Sequence, residues 1–181
     1  TYQSVSGTGK TAIDQLNSER NNLSSEKVYP YSIDQNLLPH CDVFEKDGYT
    51  KEENKLINET RKILNDYSIQ ITSTAVRVPI EICHGETVNI EFKDKFELKE
   101  VYSILRSTPG LIVEDEPKDN LYPMPLNAAN KDEVFVGRIR RDFSIENGLN
   151  LWIVADNLRK GAATNTIQIA EKLIEMGLVR C

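Results

Sequence analysis

The sequence predicts an α+β fold, a mixed and largely antiparallel sheet with helices packed on one face. Three observations predict it. Apolar residues recur at helical spacing in several segments, two of which end on glycine or proline. Segments rich in Val, Ile and Thr alternate between them. The two types follow no strict strand–helix–strand rhythm, which an all-parallel sheet would need. The chain has 181 residues, 39% of them hydrophobic and 28% charged. That is enough apolar material for a core and too much for a disordered segment. A prior of roughly 150 residues per domain gives one domain, or one and a piece.

Taken in order, Ala12, Ile13 and Leu16 mark a first helix after the small-residue stretch Ser4–Gly9. Residues 17–50 read as irregular, which is long for a loop in a compact domain and suggests a functional segment or an interface arm. Thr50 and Glu53 form a capping-box pair, and Leu56, Ile57, Thr60, Ile63 and Leu64 then mark one buried face of a helix through about Asn65. Residues 69–92 predict two strands around a break. Leu98, Val101, Tyr102 and Leu105 predict a helix ended by Pro109-Gly110. Leu111–Val113 reads as a short strand and Pro117–Asn130 as a loop. Val134–Arg140 and Leu149–Ala155 read as strands joined at Glu146-Asn147-Gly148. A last helix, Ala162–Met176, is expected to bury Ile167, Ala170, Leu173 and Ile174 and to stop at Gly177.

Composition narrows the function. The net charge is −6, so a general nucleic-acid role loses weight. No apolar run approaches the 18 residues of a membrane span. Three cysteines (Cys41, Cys83, Cys181) give neither a disulfide framework nor a CxxC metal signature, so no metal site is expected and a reducing, cytoplasmic compartment fits best. The chain opens on Thr1 without a methionine, as a processed protein or a domain cut from something longer would.

Few residues offer acid–base chemistry. Only His40 and His84 carry a side chain that ordinarily titrates near neutrality. A Cys83–His84 pair is geometrically poor, because neighbours on a strand point to opposite faces; Cys83 suits a small core position. His84, at the end of a β-rich segment, suits a structural role as well as a catalytic one. Arg77 and His84 would lie about 23 Å apart on one straight strand at ~3.3 Å per residue. If both serve one site the strand must break, and Pro79 is a plausible interruption. Glu52, Lys55, Glu59 and Lys62 make a charged stripe. It is either a solvated helix face or, at Glu52 and Lys55, one wall of an anion- or zwitterion-binding pocket. Gly7-Thr8-Gly9-Lys10-Thr11 resembles the end of a phosphate-binding loop, but Ser4 stands where that pattern requires glycine. The bland reading is a turn that opens a helix.

Together these fragments resemble bacterial aspartate-semialdehyde dehydrogenase. Thr1-Tyr2-Gln3-Ser4-Val5-Ser6-Gly7 looks like the segment just after its nucleophile. Glu52-Glu53-Asn54-Lys55 with Glu59-Thr60 is similar to its substrate-binding helix, and Arg77…Cys83-His84 to its arginine–histidine pair. Val136-Gly137-Arg138-Ile139-Arg140 and Asp156-Asn157-Leu158-Arg159-Lys160-Gly161-Ala162-Ala163 are two further signatures, all in family order. The resemblance implies a catalytic and dimerisation domain like that of glyceraldehyde-3-phosphate dehydrogenase over residues 1–157. It implies a C-terminal helix, residues 158–181, that returns to a nucleotide-binding domain.

The implied activity is reversible, NADPH-dependent reduction of aspartyl phosphate to aspartate semialdehyde and phosphate, feeding lysine, methionine and threonine synthesis in a cytoplasmic homodimer or homotetramer. Carried over by position, His84 is the general acid/base and Gln3 orients the acyl-enzyme. Arg77 clamps the substrate α-carboxylate, Glu52 holds its amino group, and Lys55 meets phosphate. The Ser6-Gly7 backbone and Asn157 contact NADP. The family's GxxGxxG loop, nucleophilic cysteine and a phosphate-binding arginine have no counterpart here. The resemblance therefore implies a C-terminal fragment, inactive alone, with an exposed apolar patch or a compensating contact where the final helix and the Gln3–Gly9 edge lose their packing. The alternatives are a dimerisation module without chemistry and a P-loop NTPase.

Overall fold

A computed structural model of the chain describes residues 1–179. The chain forms two compact units, the first Thr1–Glu81 and the second beginning at Ile82. Both mix helices and strands, and the second carries a mixed, largely antiparallel sheet, so the α+β expectation holds.

The first unit contains β1 (Tyr2–Gln3), α1 (Lys10–Arg20), α2 (Lys51–Leu64) and β2 (Val76–Arg77). Strands β1 and β2 pair in parallel, with Tyr2 opposite Val76 and Gln3 opposite Arg77. Between β1 and α1 the chain makes a 3₁₀ turn, Val5–Thr8, and Gly9 then opens α1 at φ +101°. That backbone is open to glycine and strained for other residues. Val5, Ala12, Leu16, Tyr29, Ile33 and Leu38 form the core of this unit. The long segment before α2 is therefore irregular but not loose. Gln15 Oε1 accepts from the Val28 N–H at 2.7 Å, and Glu19 Oε2 accepts from Ile33 and Asp34 at 2.8 and 2.9 Å.

Helix α2 begins as the sequence predicts. Glu53 N–H donates to Thr50 Oγ1 at 3.3 Å and Thr50 N–H to Glu53 Oε2 at 2.7 Å. It ends on Asn65 in the left-handed conformation. Its apolar face is not buried as expected: Ile63 is 79% and Leu64 59% exposed. Only Glu53 is buried along the helix, because it also takes the Ala75 N–H at 2.9 Å.

Glu53 makes the acid stability of this unit predictable. Burial opposes its charge, but the N–H groups of Thr50 and Ala75 outweigh burial and hold the carboxyl below its ordinary value of 4.5. A folded-state pKa below the unfolded one contributes stability that is complete above the unfolded value and is lost as pH falls through the folded one. Urea unfolding of Glu53→Gln is expected to show a loss of about 1–3 kcal/mol at neutral pH. It is also expected to show a shallower decline into acid than the parent.

The second unit contains β3 (His84–Glu91), α3 (Leu98–Ser107), β4 (Leu111–Val113), α4 (Pro125–Ala128), β5 (Val134–Asp142), β6 (Gly148–Ala155) and α5 (Thr164–Glu175). Strand β6 lies between β3 and β5 and is antiparallel to both, while β4 adds in parallel to β5. On one face Val88, Ile90, Val136, Leu149 and Leu151 pack against Leu98, Val101, Tyr102 and Leu105 of α3. On the other, Phe135 and Val154 pack with Cys83 and Ala128, so a part of that face is covered by the short α4. Burying Phe135 alone is worth about 1.5–3 kcal/mol.

The expected loop Pro117–Asn130 thus holds a 3₁₀ turn and α4. Strand β5 also runs past its expected end at Arg140 and is bulged between Gly137 and Arg140. Asp115 fixes the bulge by accepting from the N–H groups of Arg138 and Ile139, both at 2.9 Å. Gly137 is required beside it, since a Cβ there would lie 2.2 Å from the Glu114 carbonyl oxygen.

After β6 a π turn, Arg159–Ala163, leads into α5, and Gly177 follows at φ +68°. The expected burial of α5 does not hold: Ile167 is 60% and Ile174 46% exposed. This matches the implied apolar patch. The Gln3–Gly9 edge shows the other expected outcome, contact instead of exposure, for Gln3, Ser4, Val5 and Ser6 are all buried. The last two residues of the expected 158–181 segment, including Cys181, lie outside the described residues. No helix among the described residues is long and apolar enough to cross a membrane.

Candidate functional site

In the first unit, four of the sequence-predicted residues come together from three distant segments. The parallel register sets Gln3 directly opposite Arg77, so their side chains leave the same face of the ribbon about 5 Å apart. Gln3 Nε2 donates to Glu52 Oε1 at 3.0 Å. Glu52 sits in the first turn of α2, where the Thr50 cap fixes the helix start, and its Oε2 pairs with Lys55 Nζ at 3.4 Å. The Glu52–Lys55 pair therefore does more than line a solvated face, because its carboxylate is tied to the strand. Glu59 and Lys62 are exposed, as the bland reading of the stripe has it.

Arg77 is the most constrained of the four. It is buried, its Nη1 donates to the Ser4 carbonyl at 2.7 Å, and its guanidinium lies 6.0 Å from the Tyr29 ring centroid. Its Nε–H is buried and has no hydrogen-bond partner. A buried cationic donor left unmatched is costly. Ser4 and Ser6 share a hydroxyl hydrogen bond of 2.9 Å. Tyr29 and its hydrogen bond to Thr8 at 3.0 Å carry no sequence signal, because the tyrosine lies in the irregular segment.

The backbone at Ser6-Gly7 is also engaged. The Ser6 N–H donates to the Glu81 carbonyl at 3.1 Å and the Gly7 N–H to that of Ser4 at 3.2 Å. What Gly7 offers a ligand is therefore its exposed surface without a side chain, not its amide. Lys10, the would-be phosphate-loop lysine, is an exposed residue paired with Asp14 at 2.7 Å on its own helix.

In the second unit, His84 is the first residue of β3, opposite Ala155 of β6. Arg77 closes β2, and residues 78–83 separate the two strands, so the required break is present. Cys83 has φ +76°, an uncommon backbone for a residue with a Cβ. Its side chain is fully buried, and burial, with Asp156 nearby, pushes its thiol up to about 12. Cys41 is buried as well, and burial raises its thiol. Neither is a ready nucleophile at neutral pH.

The Cys83 N–H donates to Asn157 Oδ1 at 3.0 Å. Asn157 is itself held by its neighbour. Asp156, 2% exposed, accepts from Asn130 N–H at 2.8 Å, Leu158 N–H at 2.9 Å and Arg159 N–H at 3.2 Å. Asp156 had a readable signal, an aspartate at the end of an apolar strand and the start of a helix; the left-handed Cys83 had none.

A groove of about 830 Å³ in this unit runs along α3 between Tyr102, Arg106, Asp115 and Pro117 and contains none of the predicted site residues. Its tyrosine is not acid–base machinery: burial, then the hydrogen bond to Asp115, pushes the hydroxyl up to about 12. No group of three or more His, Cys, Asp or Glu among the described residues could hold a metal ion.

Comparison with known proteins gives one consistent answer. Residues 1–160 match the family described as semialdehyde dehydrogenase, dimerisation domain. Aspartate-semialdehyde dehydrogenase of Legionella pneumophila is 51% identical over 96% of the chain and 52% of its own length. That of Aquifex aeolicus is 48% identical over 99% of the chain and 54% of its own length. The crystal structure of aspartate semialdehyde dehydrogenase II from Vibrio cholerae, complexed with ASA, superposes with a TM-score of 0.89. It is 43% identical and covers 96% of this chain and 53% of that one. The chain thus spans about half the length of the relatives it matches. A P-loop NTPase is not favoured. The chain belongs to the semialdehyde dehydrogenase dimerisation-domain family.

Proposed function

We propose that this chain is the C-terminal, catalytic and dimerising part of an aspartate-semialdehyde dehydrogenase. The complete enzyme would reduce aspartyl phosphate to aspartate semialdehyde and phosphate, with NADPH supplying the hydride. One observation carries the reading: an amide, a carboxylate, an ammonium group and a guanidinium, contributed by β1, α2 and β2, assemble in the first unit. A zwitterionic amino-acid substrate needs opposite charges at fixed separation, and these side chains supply them. The Arg77 guanidinium suits the α-carboxylate. Glu52 suits the α-amino group, with Gln3 beside it to orient the acyl group. Lys55, a compact and half-exposed cation, suits phosphate.

His84 is the proposed general acid/base. It would take the proton of a thiol that Cys41 and Cys83 do not supply, and so of one from outside the described residues. The acyl-phosphate carbon bonds to that sulfur as phosphate leaves. After hydride arrives, the sulfur leaves and the proton returns. The cofactor fits as an edge contact: the bare surface of Gly7 allows close approach. Asn157 Oδ1 accepts from the Cys83 N–H, so the proposed contact with the nicotinamide would be a hydrogen bond donated by Nδ2.

The exposed apolar residues of α5 support the return of residues 158–181 to a nucleotide-binding domain, leaving 1–157 as the catalytic and dimerisation domain. The assembly is proposed as a homodimer or homotetramer in the cytoplasm, with no nucleic-acid or membrane partner.

Following NADPH formation from aspartate semialdehyde, phosphate and NADP⁺ tests this reading. The complete polypeptide is expected to turn over and the isolated chain to be silent. Turnover by the isolated chain defeats the fragment reading, and a complete polypeptide inert toward this substrate defeats the assignment. Light scattering that finds only monomers of the complete enzyme at micromolar concentration defeats the dimer. Lys55→Ala in the complete enzyme is expected to raise the KM for phosphate about tenfold, the loss of one charge-assisted contact. Steady-state kinetics with phosphate varied would reveal it, with the KM for semialdehyde much less affected.

A further inference from the structure

We infer that Asn157 is a positioning residue for His84, acting through the backbone of Cys83. The inference rests on the assignment of His84 as the acid/base. All the groups concerned lie in the second unit. Cys83 immediately precedes His84 and takes a left-handed backbone, φ +76°, that a residue with a Cβ adopts only when its surroundings hold it there. Two restraints do so. Its side chain is fully buried among Ala128, Phe135 and Val154, and its N–H is fixed by Asn157 Oδ1 at 3.0 Å.

The acceptor is rigid in turn. Asp156 binds three backbone N–H groups, which fixes the turn that carries Asn157. On the other side of His84, Gly85 lets the Trp152 ring lie where a Cβ would sit 2.5 Å from Cη2. Trp152 is anchored by donating Nε1–H to the Pro123 carbonyl at 2.8 Å. The backbone is thus set on both sides of one histidine. Strain of this kind is expected where orientation of a side chain matters more than stability. Asn157 Oδ1 serves Cys83, and on the proposed assignment the contact with the cofactor would fall to Nδ2.

The two tasks separate in the complete enzyme. Asn157→Ala removes both. It is expected to lower kcat on the order of 100-fold, the effect of a misplaced reacting group, to displace the pH profile of kcat, and to raise the KM for NADP. Asn157→Asp keeps an oxygen for the Cys83 N–H and loses the Nδ2 donor. It is expected to regain most of kcat while the KM for NADP stays high. Hydrogen exchange at the Cys83 amide is expected to quicken in Asn157→Ala and stay slow in Asn157→Asp. An Asn157→Ala enzyme with only the KM raised, kcat and its pH profile being those of the parent, overturns the inference. So does an Asn157→Asp enzyme no better in kcat than Asn157→Ala. Normal turnover by His84→Ala would instead overturn the assignment beneath it.

Discussion

Replacing His84 with alanine in the complete enzyme is expected to reduce turnover by about 10²–10⁴-fold, the usual worth of a positioned acid/base. The fold is expected to survive, since the pairing of His84 with Ala155 in the β3–β6 ladder is made by main-chain groups. Thermal unfolding alongside steady-state kinetics separates the outcomes. A large loss of kcat with a near-parent melting temperature supports the role, and parent kinetics end it. Cys83 and Cys41 offer no substitute chemistry, because burial keeps both thiols protonated at neutral pH. His40 stacks on Phe44 with ring centroids 4.5 Å apart, and that contact lies in the irregular segment before α2.

Asp156→Ala is expected to cost about 3–5 kcal/mol. The carboxylate is 2% exposed and accepts from three backbone N–H groups. Each such bond to a charged group is worth about 1.5–3 kcal/mol, and the donors left behind keep part of their desolvation penalty. The sum is less than three full bonds because loosened turns admit water. Denaturant unfolding of the second unit would read the loss directly. A change below about 0.5 kcal/mol, the size of a typical surface substitution effect, would show that these bonds are redundant. The Asn157 amide is expected to loosen in the same variant, which would lower turnover even under conditions where the protein stays folded.

Most of the fold is legible in the residue pattern. The strand Leu111–Val113 and the Thr50–Glu53 cap occur where spacing and capping chemistry put them; the cap depends on local sequence alone, and the strand keeps its place by pairing with β5. The burial of helix faces was legible only as periodicity. The stripe on α2 and that on α5 are real, yet Ile63, Leu64, Ile167 and Ile174 are exposed. Periodicity identifies an apolar face and says nothing about whether its cover belongs to the same chain. The charged stripe shows the same limit from the other side. Spacing places Glu52 next to Lys55, but only the pairing of β1 with β2 brings Gln3 and Arg77 into register. The left-handed backbone at Cys83 has no local signature, because glycine or asparagine would be the expected residue there.

The parallel pairing of β1 with β2 also bears on how the molecule is made. Arg77 donates to the Ser4 carbonyl across 73 residues of chain. A ribosome adding about 5–20 residues per second holds the first strand without its mate for several seconds. Until then the apolar groups that will pack behind it stand open to other nascent chains. Slowed translation across residues 20–75 is therefore expected to increase the demand for chaperones, while leaving the finished protein unchanged.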